Sequence, residues 1–198
     1  MLENRIALTK KTYDDNADFF KERHSYVSEA HKSHMSYFLR LLQGNQILDV
    51  GCGAGIHASI FSEAGYRVTG IDISLEMLKR ATKDANAKFA QADMCQLPFR
   101  DSSFDGTWVA ASLLHLPKEY APVAIAEAYR VLKSKGILCL EVKEGKGEKE
   151  ICDPHRRFYS FYKRDELNHL LGSPGFNLFD ISNHKGEDEA WLVAFARK

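Results

Sequence analysis

The segment Gln46-Ile47-Leu48-Asp49-Val50-Gly51-Cys52-Gly53-Ala54-Gly55 leaves this chain few architectures to choose from. An apolar run that breaks into alternate glycines predicts a buried strand entering a tight turn, with backbone bare enough for a ligand to press against it. About twenty residues on, Tyr66-Arg67-Val68-Thr69-Gly70-Ile71-Asp72 predicts a second strand that closes on an acid. A carboxylate at such a strand tip can accept two hydrogen bonds from a ribose diol. Together the two segments predict a nucleoside-cofactor site on an α/β sheet.

Glycine spacing narrows the choice of cofactor. The dinucleotide signature is G-x-G-x-x-G, its third glycine bringing the helix close to the strand and its helix N-terminus facing a pyrophosphate. Here Ile56 stands where that third glycine belongs. Asp49, two residues before the first glycine, is a poor neighbour for a phosphate and suits a cationic group such as an amino-acid ammonium. A ligand with a ribose, a positive charge and no phosphate points to S-adenosylmethionine. A nicotinamide dinucleotide stays open as the weaker reading.

From Gln46 onward the pattern alternates. Strands are predicted at 46–50, 67–71, 87–91, 105–111 and 136–142, with helices at 55–64, 74–85 and 117–133 between them. Such alternation implies a parallel sheet covered on both faces. Right-handed crossovers then bring every strand's C-terminal tip to one edge, collecting Gly51, Asp72, Asp93 and Ala111 to His115. Residues 13–42, without Gly or Pro, predict a helical cap. Lys143 to Glu150 reads as a solvated loop, and a helix at 163–171 is stopped by Gly172-Ser173-Pro174-Gly175. Two last strands, 176–182 and 190–196, are joined by seven residues, too few for a crossover, so they should pair antiparallel.

These segments resemble, in order, the motifs of class I S-adenosylmethionine-dependent methyltransferases of the type 11 kind. Ile47 to Gly55 resembles the first motif and Val68 to Ser74 the second, followed by Met77-Leu78 and Ala81. Ala92-Asp93-Met94, Leu97-Pro98-Phe99 and Ser103-Phe104-Asp105 resemble the third and fourth. Leu113 to Pro117 and Glu127 to Lys133 complete a match that is strong from about Phe38 to Glu144. The resemblance implies one domain with a Rossmann-like, mostly parallel seven-stranded sheet and an antiparallel last strand. Residues 1–43 would be its cap, 44–142 its cofactor core, and 143–198 an acceptor-side insert with the final strands.

The resemblance also distributes roles. Asp49 would face the methionine ammonium, and Gly51, Cys52, Gly53 and Gly55 would admit the methionyl and ribosyl parts. Asp72 would take the ribose hydroxyls, Asp93 the adenine amino group with Met94 opposite the ring, and Ile73 and Met77 would pack on adenine. Ala111 lies in the segment that reaches the site after the fourth strand. Tyr13 in the cap would touch the cofactor's carboxylate end, where an aromatic face also attracts a sulfonium. His115 is the candidate general base or acceptor-positioning group, against a plain role capping a backbone carbonyl. The resemblance implies that the basic, aromatic run His155 to Arg164 borders the acceptor pocket, where Arg157 and Tyr159 would contact the acceptor, against a plainer reading in which its aromatics pack beneath the cap and its arginines are solvated.

Composition excludes other classes. Across 198 residues, 27 basic and 27 acidic side chains cancel, which disfavours a nucleic-acid surface built on clustered Lys and Arg. No apolar run approaches a membrane span, and the N-terminus lacks a secretory stretch, so cytoplasm is expected. The scattered Cys52, Cys95, Cys139 and Cys152 predict neither disulfides nor a metal site. The expected activity is methyl transfer to a small-molecule acceptor by a monomer or homodimer. An RNA methyltransferase and a catalytically silent cofactor-binding subunit remain as alternatives.

Overall fold

The computed structural model of the protein describes residues 3–81, 87–185 and 189–198. Its strands are β1 Gln46–Val50, β2 Arg67–Asp72, β3 Ala87–Gln91, β4 Phe104–Ala110, β5 Leu132–Lys143, β6 Glu148–Cys152, β7 Arg156–Ser160, β8 Asn177–Lys185 and β9 Ala190–Arg197. Its helices are α1 Glu3–Asp15, α2 Ala17–Arg23, α3 Glu29–Leu41, α4 Ile56–Glu63, α5 Leu75–Lys79, α6 Ala121–Val131 and α7 Arg164–Gly172.

Seven strands form one sheet in the order β3-β2-β1-β4-β5-β9-β8. β1 pairs parallel with β2 and β4, and β2 with β3 and β4 with β5 likewise. β9 runs antiparallel to both β5 and β8, the reversed strand expected from the resemblance. The order reverses between β1 and β4, which opens a crevice at the strands' carboxyl ends.

Period-two alternation sorts the core onto two faces. Ile47, Trp108, Cys139 and Phe195 pack with Met35 and Phe38 of α3 and Phe61 of α4. Leu48, Val109, Leu138, Leu140 and Ala194 pack on the other face with Ile125 and Ala128 of α6 and Leu167 and Leu171 of α7. Each Val, Leu, Ile, Met or Phe among them, taken fully out of water, contributes about 1.5–3 kcal/mol. Asp49 and Glu141 follow the same alternation and so fall on the α3–α4 face.

Several boundaries differ from expectation. The cap is divided into three helices. α1 begins well before Tyr13, Asn16 separates it from α2, and Ser28 starts α3 by accepting from the His31 amide at 3.2 Å. The predicted helix 74–85 is described only as α5, capped by Ser74, because residues 82–86 lie outside the described part. Lys143 to Glu150 is not simply a loop: β5 runs through Lys143, and Glu148 opens a hairpin in which β6 pairs antiparallel with β7. β8 also extends through Lys185, into the span expected to be the final turn, whose residues 186–188 are outside the description.

α1 ties the hairpin to the core. The Thr9 hydroxyl accepts from the Phe158 amide at 3.1 Å, and Thr12 donates to the Arg156 carbonyl at 2.7 Å. At its other end Asp14 accepts from the Ser74 hydroxyl at 2.6 Å. The cap is thereby held against both α5 and the hairpin.

Candidate functional site

The turn after β1 is built on left-handed backbone at Gly51, Gly53 and Gly55, with φ of 74°, 53° and 77°. The amides of Gly51 and Cys52 both donate to the Ile71 carbonyl, at 2.8 and 2.9 Å, so the turn is latched to β2. Asp72, at the tip of β2, completes the latch. Its Oδ2 accepts from the Gly53 amide and its Oδ1 from the Ser74 amide, each at 2.8 Å. Burial raises its pKa while those two amides pull it back. A carboxylate offers about four lone-pair directions, so two remain for a ligand's hydroxyls.

A cavity of about 470 Å³ lies between this edge and the cap. Of the residues singled out in the sequence, Gly51, Cys52, Gly53, Asp72, Ile73 and Met77 form one side of its wall. Asp93, Met94, Ala111, His115 and Tyr13 form another part. Asp93 also closes its own turn, accepting from the Cys95 amide at 2.8 Å.

Four expected site residues do not reach the wall. Gly55 is the N-cap of α4 and packs against β3, where a Cβ would meet Phe89 at 2.8 Å. Asp49 stands behind the turn, only 2% exposed, with Oδ2 unpartnered. Burial, reinforced by the charge of Asp72, pushes its pKa up to about 8. Arg157 and Tyr159 sit behind Tyr13 and His115 because β7 turns them inward, under α1 and α2. The Arg157 guanidinium lies 4.9 Å from the Phe20 ring and 5.3 Å from that of Tyr159, and donates to the Asp153 carbonyl at 3.1 Å.

His115 has both ring nitrogens engaged. Nδ1 is 2.8 Å from the Phe158 carbonyl, which can only accept, so the proton is on Nδ1. Nε2 then accepts from the Tyr13 hydroxyl at 3.0 Å. Burial pushes the imidazole pKa down to about 3, and it stays neutral.

The methyltransferase-domain family model of type 11 matches residues 48–140. The 2-methyl-6-phytyl-1,4-hydroquinone methyltransferase of Synechocystis is 43% identical over 100 residues, covering 48% of this chain and 31% of that protein. An S-adenosylmethionine-dependent methyltransferase structure from Methanosarcina mazei superposes with a TM-score of 0.76 at 25% identity, covering 82% of this chain and 96% of that one. An O-methyltransferase of Aspergillus nomiae is 30% identical over 160 residues, covering 73% of this chain and 70% of that protein. The chain belongs to the class I methyltransferase superfamily. It spans about a third of the length of the first curated relatives it matches.

In this methyltransferase fold the far end of the cavity holds side chains that the sequence reading passed over. His31 of α3, His57 of α4, Glu141 of β5, His184 of β8 and Trp191 of β9 all line it. Glu141 is 3% exposed, and its Oε1 accepts from His184 Nε2 at 2.8 Å. A signal was present: Glu141 is an acid near the C-terminal tip of an apolar strand, the same signature that picked out Asp72. The histidines carried none, since they come from separate elements. Among the described residues no group of three or more His, Cys, Asp or Glu is disposed to hold a metal ion, and no helix is long and apolar enough to cross a membrane.

Proposed function

We propose that this chain transfers the methyl group of S-adenosylmethionine to a small-molecule acceptor. The observation that carries the reading is the latched glycine turn with Asp72 at one end of a cavity whose wall continues to Asp93 and Met94. Those residues suit the cofactor. Asp72 has free lone pairs for a ribose diol, Asp93 sits where an exocyclic amine can donate, and Met77 and Ile73 offer apolar contact for a base. Ile56, standing where the dinucleotide signature needs its third glycine, supports S-adenosylmethionine over a dinucleotide.

When bound, the cofactor supplies an electrophilic methyl group on a sulfonium. The protein's own work is alignment and exclusion of water. The turn and Asp72 fix the adenosyl end, while α1 and α2 roof the cavity. Tyr13 and His115 hold each other in place at its centre, with Arg157 and Tyr159 bracing them from behind; we assign these four a positioning role.

Titration calorimetry with S-adenosylhomocysteine and with NAD tests the reading. Asp72→Asn should weaken S-adenosylhomocysteine by roughly 10- to 100-fold, the worth of hydrogen bonds to a charged acceptor. Binding of NAD in preference, or an affinity indifferent to Asp72→Asn, would refute it. Release of labelled product from a metabolite extract separates an enzyme from a silent subunit, and label in RNA would favour a nucleic-acid acceptor.

A further inference from the structure

The cavity's far end contains two buried polar atoms that lack a partner, Oε2 of Glu141 and Nε2 of His31. Oε2 lies 3.3 Å from His31 Nδ1, too poorly aligned for a hydrogen bond. Nδ1 is the ring nitrogen nearer the carboxylate, and a proton placed there by that charge leaves Nε2 with its lone pair. The ring is held firmly: it stacks on His57 at 4.6 Å and 10° and meets Trp108 edge-on at 5.6 Å. Trp108 in turn orients His57, donating to its Nδ1 at 3.2 Å. Burial lowers the pKa of His31 and takes that of His57 down to about 3, so both imidazoles are neutral.

Position agrees with chemistry. Glu141 pairs with Ala110 across the β4–β5 ladder, and its carbonyl accepts from the Ala111 amide at 3.0 Å. From Asp72 on β2 to Glu141 on β5 is three strand spacings, about 14 Å. One end of the cavity thus suits a ribose, and the opposite end presents an acid with an imidazole.

We propose that His31 and Glu141 form the proton-accepting end of the acceptor site, and that the acceptor is a neutral molecule bearing a weakly acidic hydroxyl, a phenol or enol. The inference rests on the methyl-transfer reading above. Both orphaned atoms are acceptors, so the group that satisfies them must be a donor; ethers, ketones and carboxylates have nothing to give. An ammonium would donate too, but an adjacent carboxylate stabilises its protonated form and opposes the loss of the proton that methylation requires. A hydroxyl has no such conflict. Its O–H bond breaks with the electron pair left on oxygen, and the proton passes to His31 Nε2, where Glu141 stabilises the imidazolium. The oxygen pair then bonds the methyl carbon as the carbon–sulfur pair departs on sulfur, and His31 returns the proton to solvent.

The test compares 2-naphthol with 2-methoxynaphthalene, which differ in that one proton, as ligands of the protein saturated with S-adenosylhomocysteine. Wild type should bind the naphthol at least tenfold more tightly than the ether. Glu141→Gln should bring the ratio below about threefold and leave S-adenosylhomocysteine affinity within twofold. His31→Asn, which leaves the Glu141–His184 bond intact, should do the same and covers the case in which Glu141→Gln fails to fold. With labelled cofactor, both variants should lose 100-fold or more in kcat toward 2-naphthol with KM changed less. Equal affinity for the two ligands, no binding of either, a ratio untouched by both variants, or preference for 2-naphthylamine would each overturn the assignment. Failure to bind S-adenosylhomocysteine at all would instead remove the methyl-transfer reading.

Discussion

Gly51→Ala is the perturbation on which the turn's architecture can be tested most sharply. At φ 74° a Cβ added to Gly51 would lie 2.2 Å from the Cβ of Ser112. Left-handed backbone costs an alanine about 1–2 kcal/mol. Two carbons normally rest about 3.5–4.0 Å apart, so the neighbouring chain must also move. Relieving such overpacking costs a further ~1–3 kcal/mol. The sum, about 2–5 kcal/mol, should appear in urea unfolding. Gly65→Ala isolates the backbone share, because at φ 91° its Cβ would meet nothing within 4 Å. Ser112→Gly isolates the clash. It removes the Cβ in question and loses the hydrogen bond from the Ser112 hydroxyl to the Val50 carbonyl at 2.7 Å, worth about 1 kcal/mol. The double variant should then be more stable than the summed single costs by about 1–3 kcal/mol. Additive costs, or equal losses at Gly51 and Gly65, would refute the reasoning.

Three further outcomes are expected. Asp49 holds its proton to about pH 8 when folded, whereas the unfolded carboxyl ionises near 3.8, so its contribution to stability grows as pH falls through that window. His57 and His115 act oppositely: they stay neutral when folded, the unfolded chain takes up their protons below about 6.5, and stability is lost on acidification. Asp49→Asn should therefore steepen the acid loss between about pH 7 and 5 by about 1.4 kcal/mol per pH unit, and parallel curves would contradict this. Tyr13→Phe leaves His115 Nε2 without a donor and should lower Tm by about 2–8 °C, from about 1–2 kcal/mol at about 2–4 °C each; an unmoved Tm would show that the bond is not made. Asp14→Asn should weaken S-adenosylhomocysteine about tenfold in calorimetry, although Asp14 is not on the cavity wall, because it holds Ser74 beside the ribose acid.

The core was legible because its strands are buried on both faces and broken by glycines, a pattern with few competing meanings. β1 and β2 fall where the apolar runs place them. The β6–β7 hairpin was not: Glu148 to Cys152 is mostly exposed, so no apolar alternation marks it, and charge alone reads as a loop. The cap's division was hidden for a similar reason, since α2 stops at Arg23 and Ser28 starts α3 without any glycine or proline nearby. At the site, strand-tip acids and the glycine turn were readable from position. Orientation was readable only in part: the aromatics of the run His155 to Arg164 pack beneath the cap, as their pattern suggests, but Arg157 is buried with Tyr159 and not solvated. Glu141 carried a readable signal that its apolar neighbours masked.

The contacts from Asp72 to the Ser74 amide and from the Ser74 hydroxyl to Asp14 join the ribose end to helix α1. Thr9 and Thr12 carry α1 onward to β7. Occupancy at one end and order at the other are then two readings of a single equilibrium, and the coupling must be reciprocal. Whatever factor a filled nucleoside pocket adds to docking of the N-terminal segment, a loosened segment subtracts from nucleoside affinity. Amide exchange along α1 should accordingly slow in proportion to ligand tightness.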